Sequence, residues 1–150
     1  MGYSCYKLSD ASRRSLLAHF PPRYPLVKAD HVTVRFGVNR DYSLPPAADI
    51  EVIGYADDGR GIEALVVSVN GETQRPDGSV YHVTLSYDPE KKAPASFDAS
   101  RRERPYAAVH SNGLIREKSY RTLSEKFRLE ALPVYVPSPG EPDSYSQPNP

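Results

Sequence analysis

The sequence predicts an α+β fold in which antiparallel strands are the main element. Short segments of alternating or β-branched residues recur along the chain, and glycine and proline turn signals separate them. One segment near the N-terminus has the apolar spacing of a helix instead. The length of 150 residues suits a single domain, which we place at residues 1–136, with a proline-rich disordered tail at residues 137–150.

The first part of the chain predicts two strands with a helix between them. Gly2–Leu8 alternates aromatic and polar residues, as a strand does. Ser9-Asp10 offers an N-cap for a helix at Ala11–Phe20, which has an apolar stripe on one side and which Pro21 ends. Asp30–Val38 is β-branched and alternating, and it predicts the next strand.

The remaining strands are predicted from the same alternation. After a loop at Asn39–Ala48, they occupy Ile50–Ala56, Ile62–Val69, Val80–Tyr87 and Phe127–Val136, the last with Pro133 at an edge or bulge. Residues 88–108 are rich in charge and proline and predict a long loop, whereas residues 111–124 predict one short helix. One long irregular segment therefore separates the last strand from the others.

Composition and charge exclude several classes of protein. Nineteen Lys and Arg residues balance nineteen Asp and Glu residues, so the chain lacks the excess of cations that non-specific binding of long duplex nucleic acid requires. The single cysteine, Cys5, excludes an intramolecular disulfide and a multi-cysteine metal site. No apolar stretch is long enough for a signal peptide or a membrane span. We expect a soluble, cytoplasmic monomer without a metal or other cofactor.

The most informative pattern is a His-x-Thr-apolar motif that occurs twice. It stands at His31–Val34 and at His82–Leu85, and both copies fall inside predicted strands. Four histidines and four threonines placed at random in a chain of this length would rarely give this spacing twice. Because residues two apart on a strand share a face, each copy presents an imidazole and a hydroxyl on one side and aliphatic anchors on the other.

Two imidazoles and two hydroxyls on neighbouring strands suit the hydrolysis of a phosphodiester. Without a metal, this reaction requires a base for the attacking water and an acid for the leaving oxygen. Histidine titrates near neutral pH, so His31 and His82 can divide these roles, and the sequence leaves open which is the acid. Thr33 and Thr84 would bind the non-bridging phosphate oxygens, where negative charge grows in the transition state.

The paired motif resembles the 2H phosphoesterase superfamily, whose members carry two H-x-[ST]-apolar motifs on central strands. The segment Ile62–Asp88 is similar to the cyclic phosphodiesterase branch related to the C-terminal domain of fungal and plant tRNA ligases. Ser111–Ile115 is similar to a serine-asparagine segment of that branch, although an insertion-like stretch at residues 95–107 separates it from the second motif here. The resemblance extends over residues 2–136.

This resemblance implies a bilobal fold, in which two antiparallel sheets face each other across a central cleft and a helix packs on the outer side. It implies a metal-independent hydrolase that opens an RNA 2′,3′-cyclic phosphate end to a 2′-phosphate. A phage-type enzyme that hydrolyses the cyclic oligonucleotide signals of bacterial immunity is an alternative within the same chemistry. A non-catalytic module that binds nucleotides or RNA ends is an alternative from another class.

Five further residues are candidates for substrate contacts. Arg35 and Ser86 each follow a motif threonine by two positions, so we expect them to share the motif face, where they either bind phosphate or pair across strands. Arg75 precedes the second motif in a turn and either lines the cleft or is a solvated charge. Tyr3 and Tyr6 either stack on a base or pack within the sheet.

Overall fold

A computed structural model describes residues 1–90 and 120–138 of the chain. In this part of the chain, one helix accompanies two antiparallel sheets, one of three strands and one of five. The predicted α+β class is therefore confirmed. The elements are β1 (Gly2–Leu8), α1 (Asp10–His19), β2 (Leu26–Val27), β3 (His31–Val38), β4 (Ile50–Asp57), β5 (Ile62–Val69), β6 (His82–Tyr87), β7 (Arg121–Leu129) and β8 (Ala131–Val136).

Both sheets and the helix share one apolar core. The smaller sheet has the strand order β3-β1-β8, and the larger sheet has the order β2-β6-β5-β4-β7. Val32 of β3, Val83 of β6 and Leu16 of α1 are all fully buried in the shared core. The side chain of Ser9 caps α1 by accepting a hydrogen bond from the Ser12 N–H at 3.1 Å. Because these valines are buried, one face of β3 and one face of β6 lie against the core. The other face of each strand is available to polar side chains.

β3 and β6 lie side by side although they belong to different sheets, and some of their Cα atoms are within 8 Å of each other. β2 is only two residues long and pairs with Ser86 and Tyr87 of β6. The N–H groups of Lys28 and Ala29 then bond to the next two carbonyls of β6, both at 2.9 Å, and the chain continues into β3. This short connection brings the beginning of β3 next to β6.

The C-terminal predictions need correction. Residues 127–136, expected to form one strand, belong to two, because β7 pairs with β4 in the larger sheet and β8 pairs with β1 in the smaller one. The chain changes sheets at Glu130, whose N–H donates to Ser12 Oγ at 2.7 Å. β8 is an edge strand, as Pro133 predicted.

The short helix expected at residues 111–124 is also wrong where the structure describes it, because residues 121–124 begin β7. β7 is an edge strand with mostly exposed side chains, so its sequence lacks the alternation that marks a strand with one buried face. β2 was not predicted, since two residues carry no periodicity.

Several predictions concern residues outside the described ranges. They are the loop at residues 91–108, the segment Ser111–Ile115 and the tail from residue 139 onward. Both His-x-Thr motifs lie inside the described ranges. Within those ranges, no helix combines the length and the apolar character that crossing a membrane requires.

Candidate active site

Each His-x-Thr motif begins a strand, since His31 is the first residue of β3 and His82 is the first residue of β6. The residue that follows each histidine, Val32 or Val83, is fully buried in the shared core. Alternation of side chains along a strand then places the histidine and the threonine of each motif on the opposite face. Each motif thus has an apolar side and a polar side in the structure, as its sequence predicted.

The two histidines are close enough to interact electrostatically. Burial is the main cause that lowers the pKa of His82 to about 4, and the positive charges of Arg75 and His31 lower it further. A hydrogen bond to the backbone of Val80 acts in the opposite direction. The imidazole of His82 is therefore neutral at pH 7.

The hydrogen bond of His82 also fixes its tautomer. Nδ1 lies 2.9 Å from the carbonyl oxygen of Val80, and a carbonyl can only accept, so the proton is on Nδ1. The lone pair is consequently on Nε2. This is the form of histidine that accepts a proton from water.

His31 has a carboxylate partner instead. Its Nδ1 lies 3.0 Å from Oδ2 of Asp30, and the other carboxylate oxygen of Asp30 accepts from Nζ of Lys7 at 2.9 Å. The hydrogen bond from His31, with a further one from Lys7, holds the pKa of the Asp30 carboxyl well below its usual range. An ionised Asp30 requires Nδ1 of His31 to donate, which orients the ring and leaves Nε2 for the substrate.

A β-bulge follows the motif in β3 and changes which residues share its face. In the pairing with β1, Thr33 lies opposite Cys5. The next pair is Arg35 with Ser4, so Val34 is an extra residue in β3. Because Ser4 and Cys5 are adjacent and point to opposite faces, Arg35 and Thr33 also lie on opposite faces. The expectation that Arg35 shares the motif face is wrong.

β6 has the equivalent bulge. Thr84 lies opposite Ala64, and the next pair is Ser86 with Glu63, so Leu85 is the extra residue. Ser86 is thereby turned away from the motif face. It is fully buried and its Oγ donates to Oε1 of Glu63 at 2.8 Å. Of the two roles that the sequence left open for Ser86, the structure supports the cross-strand structural partner.

Tyr3 and Tyr6 lie on opposite faces of β1. Tyr6 is buried in the core, and its hydroxyl donates to the carbonyl of Pro46 at 2.8 Å, so it packs within the fold. Tyr3 is on the motif face, with its ring centroid 5.4 Å from that of His31. Burial is the main cause that raises the pKa of Tyr3 to about 12, so its hydroxyl keeps its proton at pH 7.

The bulge at Val34 brings Phe36 onto the motif face. Phe36 pairs with Tyr3 across the β1–β3 ladder, and the two ring centroids are 5.7 Å apart. The Phe36 side chain is nevertheless 47% exposed. Sequence reasoning missed this residue, because strict alternation from Thr33 would place it on the other face.

Arg75 is a buried member of the same cluster. Only 4% of it is exposed, which contradicts the solvated charge that its turn position favoured. Its Nη2 donates to Oδ2 of Asp77 at 3.1 Å and to Oγ of Ser79 at 2.6 Å. The guanidinium also lies 5.3 Å from the ring centroid of Phe36, and its charge helps to lower the pKa of His82.

The two motif threonines differ in exposure. Thr33 is largely buried opposite Cys5, whereas Thr84 is half-buried. Burial is the main cause that raises the pKa of the Cys5 thiol to about 12, so the thiol beside Thr33 carries no charge at pH 7. Thr84 is therefore the more accessible of the two hydroxyls to a ligand.

Other features of the described residues do not compete with this site. A surface depression of about 550 Å³ is lined by Asn39, Asp41, Tyr42 and Ser43, without any motif residue. Across residues 1–90 and 120–138, no group of three or more His, Cys, Asp or Glu side chains is arranged to hold a metal ion.

The comparisons with known proteins found no match. No protein-family model matches the chain, and neither a curated protein nor a solved structure matches it.

Proposed function

We propose that the protein is a metal-independent phosphodiesterase of the 2H type, with a bilobal 2H fold, that hydrolyses a cyclic nucleotide phosphodiester. Its preferred substrate is an RNA 2′,3′-cyclic phosphate end, and its product is a 2′-phosphate. The observation that carries this proposal is the position of His31 and His82 at the starts of the neighbouring strands β3 and β6, where their rings have different hydrogen-bond partners.

His82 has the properties of the general base. It is neutral at pH 7, and the bond from Nδ1 to Val80 leaves the lone pair on Nε2. In the proposed reaction, Nε2 takes a proton from a water molecule, whose oxygen forms a bond to phosphorus. The bond between phosphorus and O3′ breaks, and the electron pair goes to O3′.

His31 has the properties of the general acid. The ionised carboxylate of Asp30 accepts from its Nδ1 and orients the ring. His31 gives the proton on Nε2 to O3′ as this oxygen leaves, so a free alkoxide does not form. Exchange with solvent then returns both histidines to their initial protonation states.

The threonine hydroxyls supply hydrogen bonds to the phosphate. Thr33 and Thr84 stand on the same faces as the two histidines, one in each strand. Negative charge increases on the non-bridging phosphate oxygens in the transition state, so donors already in place at these oxygens lower the barrier.

The test is a product analysis with the purified full chain in EDTA. The substrates are nucleoside 2′,3′-cyclic phosphates and a panel of cyclic dinucleotides, and the products are separated by chromatography. We expect nucleoside 2′-phosphates from the first group, at a rate that chelation does not change. Activity that is lost in EDTA and restored by a divalent metal would overturn the proposal.

Variants of three histidines provide the control. His31→Ala and His82→Ala are compared with His19→Ala, because His19 is exposed on α1 and its ring packs against Phe127 at 4.8 Å. We expect the motif variants to lose hydrolysis and the His19 variant to keep it. An equal loss in all three would show that the assay reports stability of the fold.

The same panel separates the alternatives. Hydrolysis of cyclic dinucleotides with no action on 2′,3′-cyclic phosphates would favour the phage-type hydrolase of immune signals. Binding of both groups without turnover would favour a non-catalytic nucleotide-binding module.

A further inference from the structure

Phe36 is an exposed aromatic side chain on the motif face, where Tyr3 and Arg75 contact its ring. Almost half of it, 47%, is open to solvent, although its ring contacts Tyr3 on one side and the guanidinium of Arg75 on another. Tyr3 in turn contacts His31 at 5.4 Å. Arg75 is near enough to His82 for its charge to lower the pKa of that histidine.

Phe36 is therefore connected to His31 through Tyr3 and to His82 through Arg75. The side chain is on the motif face because the bulge at Val34 shifts the alternation of β3 by one residue. A tilted tyrosine ring and a cation over the ring are both favourable contacts for an aromatic side chain, so Tyr3 and Arg75 hold the ring of Phe36 in place. They do not cover it, since Phe36 remains 47% exposed. An ordered, open aromatic surface beside a phosphate site suits the stacking of a second ring.

We infer that Phe36 is the stacking platform for the nucleobase of the substrate whose phosphate lies between His31 and His82. This inference rests on the proposed function and adds the class of substrate to it: cyclic phosphates that carry a base are preferred to those that do not. Because every nucleobase has a π-face, stacking on Phe36 favours the presence of a base without selecting one base strongly.

The experiment compares two substrates with wild-type protein and Phe36→Ala. One substrate is adenosine 2′,3′-cyclic phosphate, and the other is glycerol 1,2-cyclic phosphate, which has the same five-membered cyclic diester without a base. Loss of stacking is expected to raise the KM for the adenosine substrate by about 5- to 150-fold. The KM for the glycerol substrate is expected to stay unchanged, since its contacts end at the phosphate.

Tyr42→Ala is the matched control. Tyr42 is 46% exposed and lies 5.9 Å from the guanidinium of Arg35, so it resembles Phe36 in exposure and in its cationic neighbour. We expect no change in either KM for this variant. Phe36→Trp is expected to restore the low KM for the adenosine substrate, whereas Phe36→Leu, which is apolar but not aromatic, is expected to restore it only in part.

The outcomes distinguish this inference from the proposed function. An equal change of KM for both substrates in Phe36→Ala would overturn the stacking role and show that Phe36 supports the histidines. An unchanged KM for the adenosine substrate would also overturn the stacking role. If the wild-type protein hydrolyses neither substrate, the proposed function fails instead, and calorimetric binding of adenosine 2′-phosphate then decides the inference. Weaker binding to Phe36→Ala than to Tyr42→Ala supports the platform, and equal binding overturns it.

Discussion

The strands β3 and β6 carry the same motif and the same bulge, but they give their histidines different partners. His31 in β3 donates to the ionised carboxylate of Asp30, which Lys7 also contacts. His82 in β6 donates to the neutral carbonyl of Val80 and is desolvated. Both rings are thus held through Nδ1, but one faces a negative charge and the other does not.

In the proposed mechanism, this difference suits the two copies of the motif to opposite tasks. The ionised carboxylate of Asp30 requires Nδ1 of His31 to donate and orients that ring, whereas burial, with a smaller contribution from the charge of Arg75, keeps the imidazole of His82 neutral. In the proposed mechanism, the partner of Nδ1 therefore assigns the acid to β3 and the base to β6. The motif residues alone do not separate the two roles, since both copies read His-Val-Thr.

The strongest challenge to this comparison is to remove each histidine in turn. Because the proposed mechanism uses His31 and His82 in the same step, His31→Ala and His82→Ala should each reduce kcat by about 10²- to 10⁴-fold. The double variant should be little worse than the poorer single variant, since the two residues act as a unit. Steady-state kinetics measures this, and a near-normal rate in either single variant would contradict the pairing.

The desolvation of His82 is tested by the pH dependence of stability. Above pH 6.5, neither the folded nor the unfolded chain protonates this residue, so its contribution is fully present. Between pH 6.5 and about 4, only the unfolded chain takes up the proton, because the pKa of His82 falls from 6.5 to about 4 on folding. The free energy of unfolding should therefore decrease by about 3 kcal/mol as the pH falls through this range.

Denaturant unfolding of His82→Gln measures this contribution. The variant should lack this part of the pH dependence, whereas His19→Gln should retain it. Parallel curves of unfolding free energy against pH for wild-type protein and His82→Gln, from pH 4 to pH 7, would contradict the assignment of His82 as a neutral, desolvated histidine.

Removing the charge of Asp30 is expected to reduce activity less than removing either histidine. Asp30→Asn keeps the shape of the side chain and removes its charge, so kcat/KM should fall by about 10- to 100-fold. The loss should appear mainly in kcat and not in KM, because a neutral amide does not require Nδ1 of His31 to donate and therefore orients the ring less firmly.

Lys7 and Arg128 provide a matched pair for this prediction. Both are exposed and form ion pairs, Lys7 with Asp30 at 2.9 Å and Arg128 with Asp49 at 3.0 Å. Lys7→Met should lower kcat slightly, since Asp30 loses one of its two partners, and Arg128→Met should not lower it. A loss of the same size in both would show that net charge, and not Asp30, is responsible.

The smallest expected effect concerns the threonines, in which the two strands should behave alike. Thr33→Val and Thr84→Val preserve the shape of the side chain but remove one hydrogen-bond donor, which should cost about 1 kcal/mol in kcat/KM. The pH optimum should not move, because no titrating group is lost. A displaced optimum in either variant would show that the hydroxyl acts on a histidine and not on the phosphate.

Side-chain alternation was sufficient to predict the motif side of both strands. Val32 and Val83 enter the core because residues of a strand alternate between its faces, which is a local property of the chain. Alternation failed just after the threonines, where the positions of Arg35 and Ser86 depend on a bulge. A bulge is defined by the register with the partner strand, so the residues of one strand alone do not reveal it.

The partners of the histidines required the tertiary structure as well. Asp30 precedes His31 directly in the sequence, but Lys7 reaches it only through the antiparallel pairing of β1 with β3. Arg75 likewise contacts Phe36, which belongs to the smaller sheet and is distant from it in the sequence. The sequence therefore predicts the candidate residues of the site more readily than the contacts that hold them.

The junction between β3 and β6 has a mechanical consequence. Along these two strands, which the structure describes in full, no backbone hydrogen bond joins β3 to β6 directly, and the hydrogen bonds from Lys28 and Ala29 to β6 end just before β3 begins. The separation of the two imidazoles therefore depends on these two hydrogen bonds and on the contacts of core side chains, and not on a continuous ladder between the strands. In the proposed mechanism, a change of volume in the aliphatic core can then alter the geometry of the histidine pair without touching a polar atom.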